Sequence, residues 1–267
     1  MWTAESNRDQ LAGWDGPGGA FWADNADRFD AGIAAYQPAL VAAAAPGPGD
    51  RVLDVGCGTG LLTRELARTA HCALGVDLSS RMLTLARQRA AAAGVPRARF
   101  AQADAQVEPF RPVDLVVSRN GVMFFGDPPA AFANLARALR PGGRMVLLFW
   151  QGYAEQEWMP TFRRLLGGDP MPGGPFSLGD PDHVRTVLRG AGFTEVHLES
   201  RREPMVVGPD VDAAVAYVAG MQRDLIAPLP PADRASALRA LRTDLTAHAG
   251  PGGVAYGSAC WLVRARV

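Results

Sequence analysis

Arg51-Val52-Leu53-Asp54-Val55-Gly56-Cys57-Gly58-Thr59-Gly60-Leu61 is the stretch on which the reading of this chain turns. An apolar run rich in β-branched residues enters a turn with glycine at alternate positions, and a helical pattern leaves it. That order predicts strand, tight loop and helix N-terminus. Glycine lets the backbone approach a ligand where a Cβ would collide, and the free N–H groups of a helix start favour electron-rich partners. A dinucleotide fingerprint needs G-x-G-x-x-G. Counted from Gly56, the third glycine falls at Gly60 and position 61 is leucine, which disfavours a pyrophosphate site.

Downstream, Leu62, Leu66 and Ala70 share a helical stripe, and Ala73 to Asp77 reads as a second strand, completing a βαβ unit. Asp77 ends that strand beside the loop, where a carboxylate can accept both hydrogen bonds of a ribose diol. It could instead cap the helix that starts near Ser79. Met82, Leu85 and Ala86 mark the buried side of that helix, which Gly94-Val95-Pro96 ends. A third strand near Ala98 to Gln102 leads into Asp104-Ala105, and a fourth spans Val113 to Ser118. A helix over 129–139, a turn at Arg140-Pro141-Gly142-Gly143 and a fifth strand from Arg144 to Trp150 follow. Strands alternating with helices predict an α/β, doubly wound, mostly parallel sheet.

Past Trp150 the regular pattern stops until a capped helix begins at Asp180-Pro181, and the intervening loop 151–178 is a lid candidate because it follows the carboxyl end of a strand. Phe193 to Ser200 reads as a sixth strand and Ser258 to Val267 as a seventh. Between them lie two helical patterns, separated by Pro228, Pro230 and Pro231. The predicted organisation is an N-terminal helical flap (1–45), an α/β core (46–204), a helical insertion (205–250) and a terminal core strand (251–267). The sheet would thus have seven strands, Rossmann-like, with a helical cap formed by the flap and the insertion.

Composition narrows the function. The 27 basic residues balance 27 acidic ones, so bulk charge offers no footprint for nucleic acid or a membrane surface. Cys57, Cys72 and Cys260 stand far apart, which argues against a disulfide framework or a metal site and for the cytoplasm. No signal-like leader or membrane-length apolar run is present in the sequence. A small molecule is the expected partner, bound by a monomer or homodimer.

Across residues 46 to 150, the loop Val52-Leu53-Asp54-Val55-Gly56-Cys57-Gly58-Thr59-Gly60, with Asp77, Asp104-Ala105 and Arg140-Pro141-Gly142-Gly143, strongly resembles the class I S-adenosylmethionine-dependent methyltransferases, of the small-molecule type. The resemblance implies S-adenosyl-L-methionine as cofactor and S-adenosyl-L-homocysteine as its product. It implies that Asp54, Gly56, Cys57, Gly58 and Gly60 shape the methionyl pocket, that Asp77 holds the ribose, and that Leu78 and Met82 flank the adenine. Asp104 would accept from the adenine amino group, Ala105 would donate to the ring, and the Ser118 carbonyl would lie near the sulfonium.

A sulfonium is already a good electrophile, so alignment and water exclusion are the protein's main tasks. For a phenol or hydroxyl acceptor a base helps, and among four histidines His248 and His183 are the candidates. Trp22, Asn120, Phe124, Phe125, Trp150, Trp158, Phe162, Phe176, Met221 and Tyr256 are candidate substrate contacts, an apolar and aromatic set suited to a hydrophobic or planar metabolite. The expected reaction is methylation, on oxygen first and on nitrogen or carbon next, in secondary metabolism. The rival is a cyclisation or rearrangement that uses the same cofactor site.

Overall fold

The computed structural model describes residues 2–267. One sheet runs in the order β3-β2-β1-β4-β5-β8-β6, where β1 is Arg51–Val55, β2 Cys72–Asp77, β3 Ala98–Gln102, β4 Val113–Arg119, β5 Leu139–Trp150, β6 Thr194–Gly208 and β8 Gly253–Arg266. The two-residue β7, Ala249–Gly250, pairs only with β8. The five strands from β3 to β5 are parallel, and β8 runs antiparallel between β5 and β6. The sheet is therefore mostly parallel and doubly wound, as the alternating pattern predicts. Its order reverses at β1 and β4, and a crevice opens there at the carboxyl ends of the strands. The central strands are apolar on both faces: Leu115, Val116 and Val117 of β4 are fully buried, as a strand covered by helices on both sides must be.

Four helices precede the sheet: α1 (Arg8–Trp14), α2 (Pro17–Asp24), α3 (Ala26–Gly32) and α4 (Gln37–Ala44). Within the sheet's connections lie α5 (Leu61–Leu66), α6 (Ser80–Ala92), α7 (Pro128–Ala138), α8 (Trp158–Leu165) and α9 (Pro181–Gly190). Between β6 and β7 come α10 (Val211–Met221), α11 (Arg223–Ile226) and α12 (Pro231–Ala247). Local chemistry sets their starts. Asp127, Asp180 and Asp210 each accept a backbone N–H at the first turn of α7, α9 and α10, and Pro231 opens α12 with the φ a helix needs.

The sheet has eight strands, one more than expected because of the short β7, and four boundaries differ from the sequence pattern, the first being β8, which starts at Gly253 and not at Ser258. β6 continues eight residues past Ser200 through Arg201, Arg202, Glu203 and Pro204, which do not look like a buried strand. As the edge strand it pairs only with β8, so charge and a proline without N–H are tolerated on its outer side. β5 starts at Leu139, five residues early. Leu139 pairs with Val113 across a register shift, and Gly142, at φ +76°, makes the turn inside the strand. Finally, the loop expected over 151–178 contains α8, whose Trp158, Met159 and Phe162 are buried on one face while Arg164 points outward.

Candidate active site

The loop after β1 owes its shape to backbone that glycine adopts without strain. Gly56, Gly58 and Gly60 have φ of +66°, +53° and +75°. A Cβ on Gly56 would stand 2.7 Å from Gly121 Cα, so the β1 and β4 loops touch through glycine on both sides. The N–H groups of Gly56 and Cys57 both donate to the Val76 carbonyl, at 2.9 and 3.0 Å, which fixes the loop against β2.

Asp77 sits at the end of β2 facing this loop. Its Oδ2 accepts from Gly58 N at 2.8 Å and its Oδ1 from Ser79 N at 2.9 Å. Burial raises its pKa, against the pull of those backbone N–H groups. Asp54, 1% exposed, accepts from Thr63 Oγ1 at 2.5 Å, and burial pushes its pKa up to about 6. The cap of α6 is Ser79, whose Oγ accepts from Met82 N at 3.4 Å, and not Asp77; Asp77 holds the Ser79 and Gly58 N–H groups while lying on the cavity wall.

The crevice is a cavity of about 590 Å3. Its wall includes the glycine loop, Asp77, Leu78 and Met82, together with Trp14, Trp22 and Phe29 from the N-terminal helices, Trp150 and Trp158, and the cap residues Met221 and Gln222. Met82, Met123, Met159, Met171, Met205 and Met221, six of the chain's eight methionines, line it, so much of the wall is both apolar and adaptable.

Of the residues expected from the sequence to bind the cofactor, Asp54, Gly56, Cys57, Gly58, Asp77, Leu78, Met82 and Ala105 line the cavity, and of those expected to bind the substrate, Trp22, Asn120, Phe124, Phe125, Trp150, Trp158 and Met221 line it too. Eight do not. Asp104 is 0% exposed, and its carboxylate accepts from Ala4 N (2.9 Å), Asn7 Nδ2 (2.8 Å) and Gln106 N (3.0 Å). The N-terminal segment therefore holds the oxygens that the resemblance gives to adenine, and Asn7 takes the place on the wall. Ser118 is buried, with its Oγ donating to Val55 O at 2.7 Å, and serves the junction of β1 with β4. Gly60 faces the Phe100 ring, and a Cβ there would come within 2.5 Å of it.

Phe162 packs edge-on against Tyr256 at 4.9 Å between ring centroids, and Phe176 packs against Tyr153 and Trp158, so all three candidates sit in the layer behind the wall. His248 and His183 are corrected as bases. His248 stacks on Tyr256 at 4.0 Å, its Nδ1 lies 2.9 Å from Asp244 O and its Nε2 3.2 Å from Glu157 Oε1, away from the cavity. His183 lies in the first turn of α9, where its N–H points at the Asp180 cap, 3.5 Å away. An apolar helical stripe placed His248 in a packed layer, and that layer is behind the site.

Sequence reasoning missed Asn7, Asp30, Met159, Arg163, Gln222 and Asp224 on the wall. Asp30 of α3 pairs with Arg119 at the end of β4, and Arg119 Nη1 also donates to Gln37 Oε1 at 3.0 Å. Only folding brings these segments together; the one usable signal was Gln222, a polar residue closing the apolar stripe of α10. The N-terminal helices are fastened over the cavity by further contacts. Asp15 accepts from Ser80 N and Oγ at 2.7 and 2.6 Å, Arg28 Nη1 donates to Ala213 O at 2.5 Å, and Trp14 meets Phe124 edge-on at 4.9 Å.

The sheet order and the glycine loop with Asp77 at the switch point resemble those of the class I S-adenosylmethionine-dependent methyltransferases. Residues 52–143, about a third of the chain, match the family model described as Methyltransferase domain. An uncharacterized protein of Mycobacterium tuberculosis is 39% identical over 135 residues, which are 49% of this chain and 49% of that protein, so the match spans about half of the relative. Nocamycin O-methyltransferase of Saccharothrix syringae is 29% identical over 237 residues, 78% of this chain and 81% of that enzyme. Among solved structures, phosphoethanolamine N-methyltransferase 2 of Haemonchus contortus, in complex with S-adenosyl-L-methionine, superposes with a TM-score of 0.60 at 18% identity. The superposition covers 97% of this chain and 59% of that one, and shows a shared fold.

Proposed function

We propose that the chain transfers a methyl group from S-adenosylmethionine to a small hydrophobic or aromatic metabolite, on oxygen in the first instance, as part of secondary metabolism. The observation that carries this reading is the continuity of one cavity from the Asp77 carboxylate and the positive-φ glycines to a wall of tryptophan, phenylalanine and methionine. The residues present fit the cofactor: the glycines leave room for close approach, and the carboxylate at the end of β2 suits a ribose diol. Similarity to nocamycin O-methyltransferase along most of both chains supports oxygen as the acceptor atom.

When bound, the cofactor supplies an electrophilic methyl on a sulfonium. The chain's own part is to align and to exclude water. The N-terminal helices close one side of the cavity through Asp15 and Arg28, α8 and the 151–178 segment close another, and α10 with α11 form the roof. These act as flap, lid and cap around an acceptor held against Asn120 and Phe124. Among the described residues no helix is long and apolar enough to cross a membrane, and Cys57, Cys72 and Cys260 are free thiols, which suits a reducing, cytoplasmic setting.

The test pairs calorimetric titration of S-adenosylhomocysteine with mass spectrometry of small aromatic and polyketide hydroxyls incubated with S-adenosylmethionine and the protein. Cofactor binding with a methylated product is expected. Cofactor binding with a product rearranged but not methylated would favour a cyclase, and no binding of S-adenosylhomocysteine would sink the reading.

A further inference from the structure

Six charged side chains stand on the cavity wall: Asp30, Asp54, Asp77, Arg119, Arg163 and Asp224. Asp30 and Arg119 pair with one another, Asp54 accepts from Thr63, and Asp77 holds the Gly58 and Ser79 N–H groups. Asp224 lies 3.6 Å from Arg223, its neighbour in α11, and with its side chain 96% exposed it is turned to solvent at the rim. Arg163 is different. Among the described residues no carboxylate comes within 4.0 Å of its guanidinium.

The placement of Arg163 follows from α8. Met159 and Arg163 are four residues apart, about one helical turn, and both reach the cavity, whereas Arg164 is exposed. The Nε of Arg163 donates to Asp169 O just past the helix end, which orients the guanidinium while its Nη groups make no hydrogen bond within the protein. A Cβ on Gly168 would stand 2.5 Å from Leu225 Cδ1 and 3.2 Å from Arg163 Nη2, so the guanidinium lies in the seam where the segment after α8 meets α11. A planar guanidinium held in advance loses little further freedom on binding an anion, and its fork matches the two oxygens of a carboxylate. The same wall carries Trp158, Met159, Met171 and Leu225, an apolar and adaptable surface for the rest of such a molecule.

We propose that Arg163 receives a carboxylate of the methyl acceptor. The acceptor is then an acidic molecule with an apolar body, which lies against the methionines and Trp158. The neighbours of the guanidinium, Gly168, Asp169 and Leu225, belong to the lid and the cap and none to the glycine loop, so the carboxylate is the anchor and the methylated atom lies elsewhere on the molecule. This rests on the methyl-transfer reading and adds to it the charge of the acceptor and the residue that reads it.

The experiment uses the full chain. Wild type is titrated with S-adenosylhomocysteine, and the complex is then titrated at neutral pH with naphthoate, naphthamide and naphthylmethylamine, which share an apolar body and differ in charge. Naphthoate is expected to bind about tenfold or more tighter than the amide, the order of magnitude of a hydrogen bond to a charged group. Arg163→Met keeps an apolar stem and should abolish that preference while leaving S-adenosylhomocysteine affinity unchanged. Arg163→Lys keeps the charge without the fork and should retain part of it. Arg163→Gln, which can still donate a hydrogen bond, replaces the methionine variant if that one fails to fold.

No binding of S-adenosylhomocysteine by the wild type overturns the methyl-transfer reading itself. Four results after such binding overturn only the assignment of Arg163: equal affinity for acid and amide, no binding of any probe, a naphthoate preference that survives the loss of the guanidinium, or tightest binding of the amine, which would give the rim to Asp224.

Discussion

Asn7 donates a 2.8 Å hydrogen bond to the carboxylate of Asp104, ninety-seven residues away, and its own Oδ1 accepts from Gly126 N at 3.2 Å. One side chain near the start of the chain thus joins the loop after β3 to the loop after β4, on the cavity wall. The N-terminal segment is built into the site.

Asn7→Ala would leave Gly126 N without its acceptor and Asp104 Oδ1 with Gln106 N alone. The expected loss is about 1–3 kcal/mol, the cost of leaving a buried polar group unsatisfied. Denaturant unfolding measures it, with faster amide exchange over residues 4–24 as the second readout. A melt identical to wild type would mean the contact contributes nothing net.

At Asp77, replacement by alanine removes both the acceptor for Gly58 N and the carboxylate on the wall. S-adenosylhomocysteine affinity should fall by about tenfold or more, as for a hydrogen bond to a charged group. Calorimetry at constant pH gives the number, and an unchanged affinity would remove Asp77 from the site.

Gly56→Ala combines a left-handed backbone with a Cβ placed 2.7 Å from Gly121 Cα. The backbone term alone costs about 1–2 kcal/mol, and the crowding adds to it. Thermal melting should show the loss, whereas the same change at Gly58, where the nearest atom would be Met82 Sδ at 3.7 Å, should cost the backbone term and little more.

Burial holds the Asp54 pKa at about 6 in the native state against 3.8 for an ordinary aspartate. The native protein therefore holds this proton more tightly than the unfolded chain, and the stability this gives is present below 3.8 and lost as pH rises to about 6. A side-chain amide cannot titrate, so Asp54→Asn should gain on wild type across that window. Denaturant melts of the cofactor-free proteins at several pH values check the slope; a constant difference would contradict it.

For His248, partial burial pulls its pKa down, but the Asp244 carbonyl and the Glu157 and Asp244 carboxylates outweigh that and raise it above the usual 6.5. Its contribution to stability is therefore full below 6.5 and disappears as pH climbs through the raised value. His248→Ala should destabilise most on the acid side and converge with wild type on the alkaline side. Since the ring faces Tyr256 and the α8–α12 contact, S-adenosylhomocysteine affinity should not change.

Much of the fold was legible because its signals are local. Strand, glycine loop and helix at 51–66, the carboxylate closing β2 and the capped start of α9 each depend on residues adjacent in sequence, and each stands where the pattern puts it. β6 was read short because Arg201 to Pro204 carry edge-strand chemistry, which resembles a loop until the partner strand is known.

The sequence by itself determined the loop, the crevice end of the sheet and the apolar character of what lines it, because glycine conformation and hydrophobic periodicity act over a few residues. Only the tertiary structure decided which polar groups face the cavity. Asp104 is held by Asn7, His248 by Glu157 and Asp244, and Asp30 by Arg119. Those partnerships join segments far apart in the chain, and whether a buried polar group is already satisfied is settled when packing brings its partner within hydrogen-bond distance.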